Sequence, residues 1–326
     1  MSPYISRGVI STRQVYRYVK ALGLEWYQIE KLVQELAWRD YWQQVWIAKK
    51  DEIKTDLKHK QNPINNHEIP AAIVNAETGI EAIDKALETF YSTSYMHNHM
   101  RMYIASICCN IAQSHWLVPA KWMYSHLLDG DLASNFLSWQ WVAGANSNKK
   151  YVANQKNINL FFKSDQKNTF LDIEYDAFET LEIPTVLKET VGFNLKTQLP
   201  SNSNPSLNNK QTTLIYNYYN LDPNWHKEDE VQRVFLLEPS FFEENPVSQK
   251  CLDFAIDLSK NIKDIKIYVG EFEALATEVA IDKIRFKEHP TNTHYKGIEE
   301  ARDWMTSISG YFPSFFSFWK KCKKEL

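Results

Sequence analysis

The chain has 326 residues, enough for about two domains, and it carries 11 Trp, 17 Tyr and 17 Phe against only 9 Gly. No two glycines are spaced as G-x-G, which excludes a GxGxxG dinucleotide turn and a Walker-type phosphate loop. No apolar run approaches the roughly 18–20 residues of a membrane span, and no secretory h-region follows Met1. Cys108, Cys109, Cys251 and Cys322 form no CxxC pair, so the expectation is a cytoplasmic chain with reduced thiols, no metal and no membrane partner. The net charge of −3 hides an asymmetry, because residues 1–170 carry +4 and residues 171–326 carry −7. A mildly basic half that also holds most of the tryptophans is compatible with a polyanionic partner.

In chain order, segment 28–48 places Leu32, Glu35, Leu36, Arg39, Trp42, Val45 and Trp46 at helical spacing. Segments 80–92 and 97–113 show the same period, while Pro63 and Pro70 mark an irregular connection. Pro119 fits the first turn of a helix that runs to Leu128 and ends at Asp129-Gly130. A further helix begins near Leu132 and carries Trp139 and Trp141. Residues 197–212 (TQLPSNSNPSLNNKQT) read as a polar linker. Beyond them, 213–219, 233–239 and 265–270 read as strands, with a helix at 247–261 between the last two and a fourth strand at 284–290. Residues 299–308 and 314–324 read as closing helices. The expected architecture is mainly α: a helical domain over 1–196, a linker over 197–212 and a small α/β domain over 213–326.

Taken singly, the polar residues of the helices have ordinary explanations. Glu35 and Arg39 fit an i, i+4 ion pair, Asn98 and Arg101 a buried polar pair, and Asp129-Gly130-Asp131 a helix end followed by an N-cap. Their wording and order say more. ELAWRDYW (35–42), MHNHMRM (96–102), SHWLVPAKWMYSHLLDGDLASN (114–135) and WQWVAG (139–144) together resemble the photolyase/cryptochrome flavoprotein family. The corresponding stretches of that family read close to ELxWRxFY, MHNRxRM, DW…LIDGDxAxN and WQWxAG, and the resemblance is collinear over residues 2–150.

The resemblance implies an all-helical FAD-binding domain. It places Asn98, Arg101, Asp129 and Asp131 around the flavin, with Arg101 paired to Asp129, and puts Ser2 and Arg39 at further flavin contacts. Asn135 falls at the position opposite flavin N5, where Asn is typical of repair enzymes and Asp or Cys of many light sensors. It also implies a substrate side, UV-damaged DNA, with Glu35, Trp38, Met102 and Trp141 around a flipped pyrimidine dimer whose apolar faces suit aromatic walls. Trp139 and Trp116 match the first two members of the family's tryptophan electron chain, whereas the third position lands near His59.

Three departures accompany the match. The chain opens at MSPYISRG, inside the family's flavin-phosphate motif and keeping Ser2, which implies either an upstream start or weaker FAD binding. The family's N-terminal antenna domain does not precede it, although 213–304 resembles that domain's strand-helix-strand order. After WQWVAG the chain reads ANSNKKYVANQKNIN in place of Arg-x-Phe-Asn-Pro, closer to a divergent bacterial branch. The implied activity is light-driven repair of pyrimidine dimers by a carbon–carbon lyase; the alternatives are a flavin light or redox sensor and a remnant that no longer holds FAD.

Overall fold

The computed structural model describes residues 1–201 and 203–326, and their backbone divides into two units, 51–195 and 1–50 with 196–326. This differs from the expected single boundary at 197–212, because the first 50 residues group with the C-terminal part.

In the unit 51–195, the helices Glu81–Thr93, Asn98–Ser106, Leu117–His126, Leu132–Ala143 and Gln155–Phe162 supply the frame. A π-helical turn, Ile107–Ile111, continues the second of them. Strand β1 (Ile69–Pro70) pairs antiparallel with β2 (Thr190–Val191). The ends of these helices follow from side-chain chemistry. The Asp131 carboxylate accepts the Ser134 N–H at the start of Leu132–Ala143, and Gly144 ends that helix at φ +83°. Gly130 has no room for a side chain, since a Cβ there would lie 2.9 Å from the carbonyl oxygens of both Tyr124 and Leu127. The tight Asp129-Gly130-Asp131 turn therefore needs glycine at its centre. Gln140 is fully buried and ties its helix to the irregular segment, donating to Ile53 O at 2.8 Å and accepting from Leu57 N at 3.1 Å.

In the other unit, the helix Trp26–Lys49 and the helix Phe315–Cys322 share an aromatic seam in which Phe315 stacks on Trp38 and Phe318 packs against Tyr41. Asp40 accepts Met305 N–H at 3.0 Å, Gln43 accepts from Arg302 at 2.6 Å and Gln44 accepts Gly310 N–H at 2.8 Å. These contacts bridge more than 250 sequence positions, so a reading made segment by segment cannot see them. They explain why the N-terminal helices group with the C-terminal chain.

The same unit holds a five-stranded parallel sheet of β3 (Thr213–Tyr216), β4 (Gln232–Leu237), β5 (Ile265–Val269), β6 (Ile284–Lys287) and β7 (Ile298–Glu300). The spatial order is β5-β4-β3-β6-β7, a doubly wound arrangement with its switch point between β3 and β6. All four residues of β3 are buried, as expected of a central parallel strand covered on both faces. Two expectations are corrected. Residues 299–308 form no helix: β7 occupies the start, where Glu300 accepts from Trp225 Nε1 at 2.9 Å and from Arg285 at 3.1 Å, which holds the chain extended. Residues 203–212 of the expected linker are irregular but anchored, since Asn204 donates to Val269 O at 2.9 Å and accepts Val269 N–H at 2.8 Å along the edge strand β5.

Candidate functional site

Three helices and one turn build a pocket of about 100 Å³ within the unit 51–195. Asn98, Arg101, Met102 and Ala105 line it from the helix Asn98–Ser106, spaced so that they share one face. Met123 and Leu127 come from the helix Leu117–His126 and its end, Asp129 and Asp131 from the glycine turn. Ser134, Asn135, Ser138, Trp139 and Val142 complete the wall from the helix Leu132–Ala143. The motif residues Asn98, Arg101, Met102, Asp129, Asp131, Asn135 and Trp139, separated in sequence by up to 41 positions, thus meet in one cavity.

Its electrostatics rest on one ion pair. A single Arg101 amino group donates to both Asp129 oxygens at 2.9 Å, and Arg101 Nε donates to Met96 O at 2.9 Å, which fixes the guanidinium plane. The Asp129 side chain is 8 % exposed. Asn135 donates its amide to Ala120 O at 2.8 Å, which directs its carboxamide plane. Ser134 Oγ is buried with no hydrogen-bond partner in the described chain. Such an orphan costs stability unless something else satisfies it. A cation–carboxylate pair, oriented amides, an orphaned hydroxyl and an apolar floor of Met102, Ala105, Met123, Leu127 and Val142 suit a flat heteroaromatic ring with polar edges.

Residues 32–173 match the family model described as the FAD binding domain of DNA photolyase. The chain carries a photolyase/cryptochrome-type FAD-binding domain. The deoxyribodipyrimidine photo-lyase of Alkalihalophilus pseudofirmus is 27 % identical over 146 residues, 44 % of this chain and 30 % of that protein. That of Synechococcus is 30 % identical over 159 residues, 46 % of this chain and 33 % of that protein. Cryptochrome DASH of Synechocystis is 28 % identical over 151 residues, 44 % and 30 % respectively. The crystal structure of a Synechocystis cryptochrome aligns at TM-score 0.46 and 25 % identity, covering 50 % of this chain and 35 % of that one. The chain spans about a third of the length of the curated relatives it matches. FAD is the cofactor of this photolyase-type domain, and the pocket lining fits its ring system.

The remaining expected site residues lie elsewhere. Trp116 is fully buried, and its indole N–H donates to Asp56 at 2.7 Å. Trp141 sits two positions beyond Trp139 and faces outward, 40 % exposed, with its ring 5.9 Å from that of Tyr151. Ser2, Glu35, Trp38 and Arg39 belong to the other unit. There Glu35 is exposed, and partial burial raises its carboxyl above the ordinary value while Lys31 pulls it back. Trp38 has one face filled by Phe315, with ring centroids 3.6 Å apart and planes 9° from parallel. An open aromatic wall at Trp38 is therefore reduced to its second face.

Sequence reasoning passed over a second cavity in the unit 51–195, about 280 Å³, lined by His59, Lys60, Asn62, Ala143, Gly144, Ser147, Asn148, Lys149 and Lys150. No carboxylate lines it. Burial lowers the Lys150 ammonium's pKa, in the direction expected of a cation with too little solvent. The signal available in the sequence was the Lys-Lys pair just after WQWVAG, which replaces the family's Arg-x-Phe-Asn-Pro.

Proposed function

We propose that the chain is an FAD-dependent, light-driven repair protein for UV-induced pyrimidine dimers in DNA. The observation that carries this reading is Trp141, an indole left 40 % exposed on the helix that also forms the flavin pocket wall, three positions before the loop that lines a lysine-bearing cavity. Ser147 Oγ donates to Trp141 O at 2.8 Å, which links that indole's backbone to the lysine loop. An exposed aromatic face beside lysines is the combination that holds a splayed base and its phosphates. The name deoxyribodipyrimidine photo-lyase, shared by several relatives, supports the same direction.

In this reading Asn98, Arg101, Asp129, Asp131 and Asn135 hold the flavin ring, while Arg39 and Ser2 are further contacts. Bound FAD supplies light absorption and one-electron chemistry. The Arg101–Asp129 pair fixes the electrostatics of the ring's polar edge, and the Asn135 amide offers a hydrogen bond without adding negative charge. Met102 and Trp141 are the dimer contacts expected from the unit 51–195, and Glu35 and Trp38 those expected from the other unit. Trp139 and Trp116 form an electron path. Trp139 lines the flavin pocket, and Trp116 packs edge-on at 5.8 Å against Phe136, one helical turn before Trp139.

The test is illumination of reduced, FAD-loaded protein with oligothymidine that contains cyclobutane dimers. Intact thymine is expected to reappear, and replacing both Glu35 and Trp141 by Ala should lower the yield at least about tenfold, the scale of one lost stacking contact. Unchanged dimer after illumination of flavin-bound protein overturns the proposal.

A further inference from the structure

Trp116 is fully buried, and the partner of its indole N–H is a carboxylate: Nε1 donates to Asp56 Oδ1 at 2.7 Å. A buried indole usually finds a partner for this donor, and a carboxylate is the most basic oxygen a side chain can offer it. An anion is a costly choice in a shielded place, because desolvation penalises it unless a cation stands beside it. No lysine or arginine does so here among the described residues. Asp56 accepts Gln61 N–H at 2.9 Å through its other oxygen, and its one ion-pair contact is His115 Nε2 at 3.4 Å. His115 is half-buried, its pKa is lowered by that burial, and its Nδ1 accepts the Leu117 N–H at 3.3 Å, the pattern of a neutral imidazole. The groups that donate to the Asp56 carboxyl, Trp116 Nε1 and Gln61 N, are thus both neutral. A basic oxygen there becomes useful when the indole turns positive.

We propose that Asp56 is the proton acceptor that makes Trp116 the terminal electron donor of this chain. The inference rests on the electron path through Trp139 and Trp116 proposed above. The balance is one electron and one proton. Trp116 loses an electron through Trp139 to a light-excited flavin, which is the oxidant and is reduced by one electron. The Nε1–H bond of Trp116 then breaks and its electron pair stays on nitrogen. The proton forms an O–H bond on Asp56. The products on the protein side are a neutral indolyl radical and a neutral carboxylic acid, so no charge is left in the shielded site. Because electron return then also requires the proton to return, the hole stays on Trp116. The third donor position implied by the family resemblance falls near His59, which is not a tryptophan. Terminating the path at Trp116 removes the need for one.

The experiment is flash excitation of the FAD-loaded chain with transient absorption of the tryptophan radical, in H₂O and D₂O, on wild type, Asp56→Asn, Asp56→Glu and Trp116→Phe. Asp56→Asn keeps an oxygen acceptor at the indole but removes the basic charge. The wild type is expected to give the neutral-radical spectrum, formed more slowly in D₂O. Asp56→Asn should give the red-shifted cation radical, without a solvent isotope effect and with electron return at least about tenfold faster. Asp56→Glu should keep the neutral radical. A wild type that yields only the cation radical overturns the proposal without need of any variant, and so does an Asp56→Asn protein with wild-type spectrum and isotope effect. Trp116→Phe separates the two claims: if its radical yield equals wild type, the electron path itself fails and this proposal with it. If the yield collapses while Asp56→Asn is silent, the path stands and the role of Asp56 falls.

Discussion

Asp129 and Glu238 are equally shielded carboxylates, each 8 % exposed, and they do opposite work. Glu238, at the end of β4, accepts Phe272 N–H at 3.1 Å, Tyr295 OH at 2.7 Å and a His294 Nε2 contact at 2.8 Å. The cavity beside it, walled by Tyr218, Phe241 and Phe242, is about 20 Å³, room for a single water. Asp129 faces a pocket of about 100 Å³ in which Ser134 Oγ is an orphan. The sheet's switch point is the place where a doubly wound fold ordinarily binds ligands, yet here aromatic side chains and the bonded Glu238 carboxylate leave almost no space. What marks the ligand site is unspent hydrogen-bonding capacity next to empty space, not a shielded acid by itself.

Substitution at either carboxylate site separates the two, and the largest effect falls on the pocket. Arg101→Ala removes the guanidinium that both shielded Asp129 oxygens accept from, so it should cost about 3 kcal/mol of stability in denaturant unfolding and abolish retention of flavin absorbance. Glu238→Gln turns acceptors into donors inside a closed network and should cost about 1–3 kcal/mol with flavin binding unchanged. Its pH signature is distinct. The bond to Glu238 raises the His294 pKa above the ordinary 6.5, so the contact contributes fully below about pH 6.5 and is lost as pH rises through the raised value. The stability difference between wild type and His294→Gln should therefore shrink as pH climbs, and a constant difference would refute the assignment. Ser134→Ala removes an orphan, so stability should hold or rise slightly, while FAD affinity should fall only about threefold to tenfold. For the lysine cavity, neutralising Lys149 and Lys150 should flatten the salt dependence of single-strand binding by about 0.7 in log–log slope per lysine.

The sequence made the pocket legible for a physical reason. Its lining comes from three short helices and a glycine turn whose local motifs survive as words: MHNHMRM, LLDGDLASN and WQWVAG. Helical spacing then puts Asn98 and Arg101 on one face, and Gly130 forces the turn that presents Asp129. What escaped the sequence depends on contacts between distant segments. Phe315 covering Trp38, Met305 and Arg302 bonding to the Trp26–Lys49 helix, and Asn204 pinned to β5 leave no local pattern. The strand at Ile298–Glu300 was misread as helix because three residues are too few for periodicity, and its hold comes from Trp225 and Arg285. Asp56 leaves no local pattern either, being sixty residues from the indole whose N–H it accepts.

Asn98, Arg101 and Asp129 are the residues proposed to hold the flavin, and titration of the purified chain with FAD tests this through bound-flavin absorbance. The account predicts one FAD per chain for the wild type and, for Arg101→Gln with unchanged helical circular dichroism, binding at least about tenfold weaker, the scale of one lost charged hydrogen bond. Equal affinity in the two proteins, both folded, would contradict it.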